Sequence, residues 1–168
     1  MHAIVETERL ILRRFTLDDL DAFHALGTDP ELIRYVGNAP FASREAAREC
    51  LINAPLTDYD VHGYGRFACV WKASGAVIGF SGVKYLADME ETELGYRFLR
   101  PYWGMGLATE SARASIDFAR DTLGLKRLIG LAHEDNHGSA AIMNKLGFAV
   151  ERQIDEDGTA FNVFARAL

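Results

Sequence analysis

The sequence predicts an α/β fold of mixed α+β character: a central, mostly antiparallel mixed sheet of about seven strands flanked by helices. Three observations carry that expectation. Short segments rich in β-branched and aromatic residues follow one another in mid-chain with turn residues between them. An amphipathic segment of helical period comes directly after them, and the C-terminal quarter returns to strand, helix and strands. No repeat, low-complexity run or linker divides the 168 residues, so residues 1–168 are expected to form a single domain.

Taken in order, "RLILRRF" (9–15) alternates as a strand does, and Thr16 stands where a cap would open the helix "LDDLDAFHAL", with acids in its first turn. Pro30 at a first-turn position with Gly37 as a stop, and Ser43 as a cap, predict two further short helices. Residues 55–65, with two glycines and no clear period, read as a loop. "RFACVWK" (66–72), "VIGFSGVKYL" (77–86) and "TELGYRFL" (92–99) are separated by turns and read as an antiparallel meander. From Leu107 to Thr122 one stripe carries Glu110, Arg113, Asp117 and Arg120, and another Leu107, Ser111, Ala114 and Phe118, which predicts an amphipathic helix ended by Gly124. "LKRLIGLAH" (125–133) reads as a strand, "GSAAIMNKLG" (138–147) as a helix stopped by its glycine, and "FAVERQ" with "TAFNVFARAL" as a closing pair of strands.

Composition narrows the function classes. A net charge of −6 argues against a broad nucleic-acid surface and suits a cationic or amine partner. No basic leader and no bilayer-length apolar run is found, so a cytoplasmic protein with no membrane partner is expected, as monomer or homodimer. Cys50 and Cys69 are far apart in the chain, and Cys69 alternates with Phe67 and Trp71, as a free core thiol would.

The sharpest local signal is "PYWGMGLATES" (101–111). Gly104 and Gly106 flank a single residue just ahead of the amphipathic helix, where glycine's freedom lets backbone turn tightly or approach a ligand closely. Bared amides at a helix start, together with the helix dipole, cradle phosphate oxygens, and this loop fits a pyrophosphate. An ordinary strand-to-helix turn would look similar. Dinucleotide binding is disfavoured, because the third glycine and the parallel βαβ setting are missing.

Four segments, "TERLILRRFTLDD" (7–19), "VIGFSGV" (77–83), "ELGYRFLRPYWGMGLATES" (93–111) and "EDNHGSAAIMNKLGF" (134–148), resemble the GNAT superfamily of N-acetyltransferases, in order and spacing. The branch they resemble is that of ribosomal-protein alanine N-acetyltransferases, the Rim type. The resemblance implies the GNAT fold and an acetyl-CoA-dependent N-acetyltransferase acting by direct attack of a primary amine, with no metal. The family's R/Q-x-x-G-x-G/A corresponds to Trp103, Gly104, Met105, Gly106, Leu107 and Ala108, with tryptophan in the first place. By the same resemblance, the pyrophosphate would rest on the amides of about Met105 to Thr109, and the pantetheine arm would run near Phe98 and Leu99.

Glu93 matches the position often proposed as a base acting through water; a solvated strand carboxylate is the alternative. Asn136 and Ser139 match the family's N-x-x-S, so Asn136 would hold the pantetheine or the loop and the Ser139 hydroxyl would lie near the sulfur; a helix cap or first-turn residue is the alternative for Ser139. Where much of the superfamily has a proton-donating tyrosine, this chain has Met143, which leaves Ser139 or water to protonate the thiolate.

"HEDNH" (133–137) matches the zinc-protease pattern H-E-x-x-H, but it follows a strand and contains turn formers, so it is not expected to bind metal. Tyr96, Tyr102 and Trp103 read as substrate-facing or packing aromatics. Tyr35, Phe41, Tyr59, His62, Tyr64 and Arg66 are candidates to line the acceptor site, with Asp58, Asp60 and Glu93 as acids to favour an amine. The acceptor itself stays open between a protein N-terminal α-amine, favoured by the branch resembled, and a small amine such as a polyamine or amino sugar. A non-catalytic acyl-CoA-binding module is the rival of a different class.

Overall fold

A computed structural model describes residues 1–168. The strands are β1 (Ala3–Glu6), β2 (Leu10–Arg13), β3 (Arg66–Trp71), β4 (Val77–Leu86), β5 (Glu91–Phe98), β6 (Arg127–His133), β7 (Ala149–Glu156) and β8 (Thr159–Ala167). The helices are α1 (Leu20–Thr28), α2 (Pro30–Ile33), α3 (Arg44–Leu51), α4 (Thr57–His62), α5 (Leu107–Asp121) and α6 (His137–Lys145). All eight strands join one sheet in the order β1-β2-β3-β4-β5-β6-β8-β7, antiparallel except where β5 meets β6. The mixed, mostly antiparallel sheet flanked by helices is as the sequence predicts, with one strand more. The additional strand, β1, is the four-residue "AIVE", too short for its alternation to register.

That single parallel neighbour shapes the molecule. Helix α5 crosses over between β5 and β6, so the two strands run the same way and end at the same edge. Their register contains one pair, Glu93 with Ile129. Past Glu93 the strands part, and the opening between them leads into the main cavity.

Side chains alternate across β5 and sort the layers. Val83 and Leu94 pack with Ala112, Ile116 and Met143 on one face, beneath α5 and α6. Phe80 packs on the other face against Leu26, Leu32 and Ile33 of α1 and α2. Burying Leu94 and Ile116 contributes about 1.5–3 kcal/mol each. The buried stripe of α5 is Leu107, Ser111, Ala112, Ser115, Ile116 and Ala119, while Ala114 and Phe118 are only half-buried. Its serines are accommodated because Ser115 Oγ donates to the Ser111 carbonyl and lies 3.2 Å from Ser81 Oγ.

Residues 55–65 depart from the loop expected of them. The chain passes from α3 through a π-helical turn, Ile52–Leu56, into α4. Pro55 has no N–H to give a regular helix, and the Thr57 hydroxyl donates to the Ile52 carbonyl at 2.7 Å across the widened turn. Thr16 does open the first turn, but the short bond there runs from its amide to Asp19 Oδ2, at 2.8 Å. Both cysteines are free, and Cys69 is fully buried.

Candidate active site

A cavity of about 780 Å³ joins the parted ends of β5 and β6 to the start of α5. Gly104 and Gly106 both have left-handed backbone, at φ 74° and 77°. A Cβ on Gly104 would meet nothing within 4 Å, and one on Gly106 only the Arg9 guanidinium at 3.7 Å. These glycines are therefore required by backbone conformation and not by crowding within the protein. The amides from Gly104 to Thr109 find no loop carbonyl or side-chain acceptor, and α5 has no side-chain cap. A row of unsatisfied donors at the start of a long helix suits an anion. The donor set therefore fits the pyrophosphate of acetyl-CoA.

Of the residues expected around the cofactor, Phe98, Trp103, Gly104, Gly106, Leu107, Ala108, Thr109, Asn136 and Ser139 line this cavity; Met105 and Leu99 do not. The Leu99 amide donates to the Ile78 carbonyl, and the Phe98 carbonyl accepts the Trp103 indole N–H at 2.7 Å. Those two groups are thus already occupied. Asn136 caps α6, its Oδ1 accepting from the Ser139 amide at 3.1 Å.

On the α5 and α6 side, the Tyr96 hydroxyl lies 3.4 Å from Ser139 Oγ, and both residues line the cavity. Burial raises the Tyr96 pKa above the ordinary phenol value, against a smaller opposing effect from the Ser139 hydrogen bond, so Tyr96 stays a neutral donor. Met143 is buried against Gly130 and offers no proton. Tyr96 is a candidate proton donor that sequence reasoning placed only among packing or substrate-facing rings. Strand alternation carried the signal, since it sets Leu94, Tyr96 and Phe98 opposite Glu93, Gly95 and Arg97.

The other face holds the charges. Arg66 of β3 reaches across β4 to pair with Glu93 Oε1 on β5, both side chains more than four-fifths buried. Gly95 makes that path possible: a Cβ there would lie 2.3 Å from the Arg66 guanidinium carbon. Glu93 Oε2 has no partner in the protein, and Arg66 Nε is buried without one. Arg97 and Arg66 approach the same Phe80 ring, at 5.2 and 5.7 Å from its centre. Burial, then repulsion from Arg66, lowers the Arg97 pKa to about 10.

Among the residues expected to form the acceptor wall, Tyr35 and Arg66 line the cavity, whereas Phe41, Tyr59, His62 and Tyr64 do not. Tyr59 is a core residue whose hydroxyl accepts from the Phe15 amide and donates to the Arg66 carbonyl. Asp58 pairs with Lys84 at 2.6 Å, which leaves Glu93 as the cavity's acid among the three expected. His133 ends β6 while His137 begins α6, so the two do not share one helix face, and no three His, Cys, Asp or Glu side chains are grouped to hold a metal.

The cavity thus has unsatisfied amides at one end and a carboxylate at the other, set between the parted parallel strands. The acetyltransferase (GNAT) domain family matches residues 9–149, and the chain belongs to that family. It is 32% identical to the uncharacterized N-acetyltransferase p20 of Bacillus licheniformis, over 86% of this chain and 82% of that one. It is 26% identical to spermidine N(1)-acetyltransferase of Escherichia coli (strain K12), over 85% and 74%. Its fold superposes on ribosomal-protein-S5-alanine acetyltransferase from Vibrio fischeri with a TM-score of 0.79 at 18% identity, covering 96% and 94%. The protein is an acetyl-CoA-dependent N-acetyltransferase. No helix is long and apolar enough to cross a membrane.

Proposed function

We propose that this enzyme acetylates a primary α-amine by direct attack on the thioester, with the amides of Gly104 to Thr109 holding the pyrophosphate. The carrying observation is one continuous cavity that has those unpaired amides at its cofactor end and the free Oε2 of Glu93 at its acceptor end. The amine nitrogen bonds to the thioester carbonyl carbon and the carbon–sulfur bond breaks. The amine's surplus proton leaves toward Glu93 through water, while the departing thiolate takes one from the Ser139 and Tyr96 hydroxyl pair. The products are an acetamide and the free thiol, with no net change in protons beyond those of the reactants.

An α-amine is favoured over a lysine or polyamine amine on chemical grounds. With a pKa of about 7.7–8.0, roughly a tenth of it is neutral at pH 7, against almost none of an amine near 10.4. The resemblance to the Rim-type branch and the superposition on a ribosomal-protein acetyltransferase point the same way, toward a protein N-terminus. The spermidine enzyme among the relatives supports the polyamine alternative, but the single cavity-lining pair of acids, Glu31 and Glu93, faces three arginines, Arg34, Arg66 and Arg97.

Steady-state acetylation of an α-amine by Glu93→Gln tests the reading. Turnover is expected to fall about tenfold or more at pH 7 and further at pH 6, where more amine is protonated, with acetyl-CoA affinity unchanged. Equal rates for parent and variant across that range would remove Glu93 from the mechanism.

A further inference from the structure

Arg97 is a partly buried cation that the acyl-transfer chemistry does not use. It projects from β5 on the acceptor face, directly across from Phe80 on β4. One Nη donates to the Leu26 carbonyl of α1 at 2.9 Å, and the guanidinium forms no ion pair. The groups around it supply no negative charge. Phe80 offers a ring face, Leu26 an uncharged carbonyl, and Cys50 of α3 a thiol whose pKa burial raises. The nearest carboxylate on its own strand, Glu93, is already paired with Arg66. Glu31 and Arg34, on the rim at α2, are both exposed and carry opposite charges.

A guanidinium carries five donors in a fixed fork and cannot shed its charge by deprotonating at neutral pH. Drawing it part-way out of water without an anion carries a desolvation cost, and proteins normally pair such groups. Arg97 lines the cavity on the same strand face as Glu93, two residues beyond Gly95, and its remaining donors have no partner in the protein.

We propose that the acceptor is an amine bearing its own carboxylate or similar acid group, bound through Arg97 while the amine lies at Glu93. This rests on the transferase reading above and names the class of its acceptor. Two sources share that chemistry: a free amino acid, or an N-terminal residue with an acidic side chain. It disfavours polycations, which would bring charge onto two guanidiniums.

The test measures kcat/KM, referred to the neutral amine, for the α-amino acids glycine, alanine, aspartate and glutamate, each against its own α-amide, and for dipeptide amides beginning Asp or Glu against Asn or Gln. Spermidine is the opposing control. At least one acid is expected to exceed its amide partner tenfold or more, and whether it is a free acid or a dipeptide identifies the source. In Arg97→Met that ratio is expected to fall below threefold, while Arg97→Lys, which keeps the charge, retains part of it. Acid and amide consumed equally, or spermidine preferred, would overturn the acid-bearing acceptor and leave the transferase reading standing. An acid preference unchanged in Arg97→Met would overturn the role of Arg97. No amine consumed by protein that binds acetyl-CoA would overturn both readings.

Discussion

At Gly95 a missing side chain decides what the acceptor face can do. Arg66 reaches Glu93 only because nothing projects from that position. In Gly95→Ala the obstructed group is the flexible end of an arginine, so the fold should survive with a loss of stability within about 1 kcal/mol. The ion pair should not, and kcat is expected to fall while acetyl-CoA affinity holds; unchanged kcat would show that the pairing is unimportant. Across the strand, Tyr96→Phe is expected to lower kcat several-fold without altering cofactor affinity, and a change in affinity alone would make Tyr96 a packing residue. Motif spacing in the sequence singles out Glu93, Gly104, Gly106, Asn136 and Ser139, and all five line one cavity. Tyr96 and Arg97 stayed hidden because their meaning depends on partners distant in sequence: Ser139 in one case, Phe80, Leu26 and Arg66 in the other.

At the scale of elements, the start of α5 is held by a contact no pattern announces. Glu110 Oε1 accepts from Thr7 Oγ1 at 2.6 Å and the Arg9 amide at 2.9 Å, and Oε2 from Arg9 Nε at 2.7 Å. The bend between β1 and β2 is thereby tied to the first turn of the helix that presents the glycine-loop amides. Burial raises the Glu110 pKa, but the hydrogen bonds from Thr7 and Arg9 outweigh it, and the net shift is downward. A carboxylate lowered in the folded state contributes stability that is fully present above its unfolded value, about 4.3, and lost as pH falls through the folded value. Glu110→Gln should therefore melt a few degrees below the parent at pH 7, with the gap closing in acid; a gap independent of pH would exclude the carboxylate's charge as its cause. The same long-range anchoring explains why β1 was invisible in sequence, since four residues gain their order from β2 and from Glu110. Helix α4 escaped notice for a different reason. Gly63 and Gly65 just after it and Pro55 just before it suggest a loop, and only the π turn and the burial of Tyr59 reconcile them with a helix between.

For the whole molecule, the chain order of β2 to β8 was recoverable because several helix and hairpin boundaries carry their own turn residue, as at Gly75, Gly124, Gly147 and Gly158, all with positive φ. The separation of β5 from β6 was not recoverable, because it depends on a single cross-strand pair, Glu93 with Ile129. That separation lets the end of the cavity with the amides and hydroxyls communicate with the end with the carboxylate and arginines. The arrangement depends most on the glycine loop being an anion cradle and not merely a turn. Calorimetric titration with acetyl-CoA, for the parent and for Gly106→Val, tests this most directly. A branched residue at φ 77° must move the backbone, so saturable binding by the parent and at least tenfold weaker binding by a folded variant are expected. Equal affinity in the two proteins, or no binding to folded parent, would contradict the assignment of the pyrophosphate to these amides.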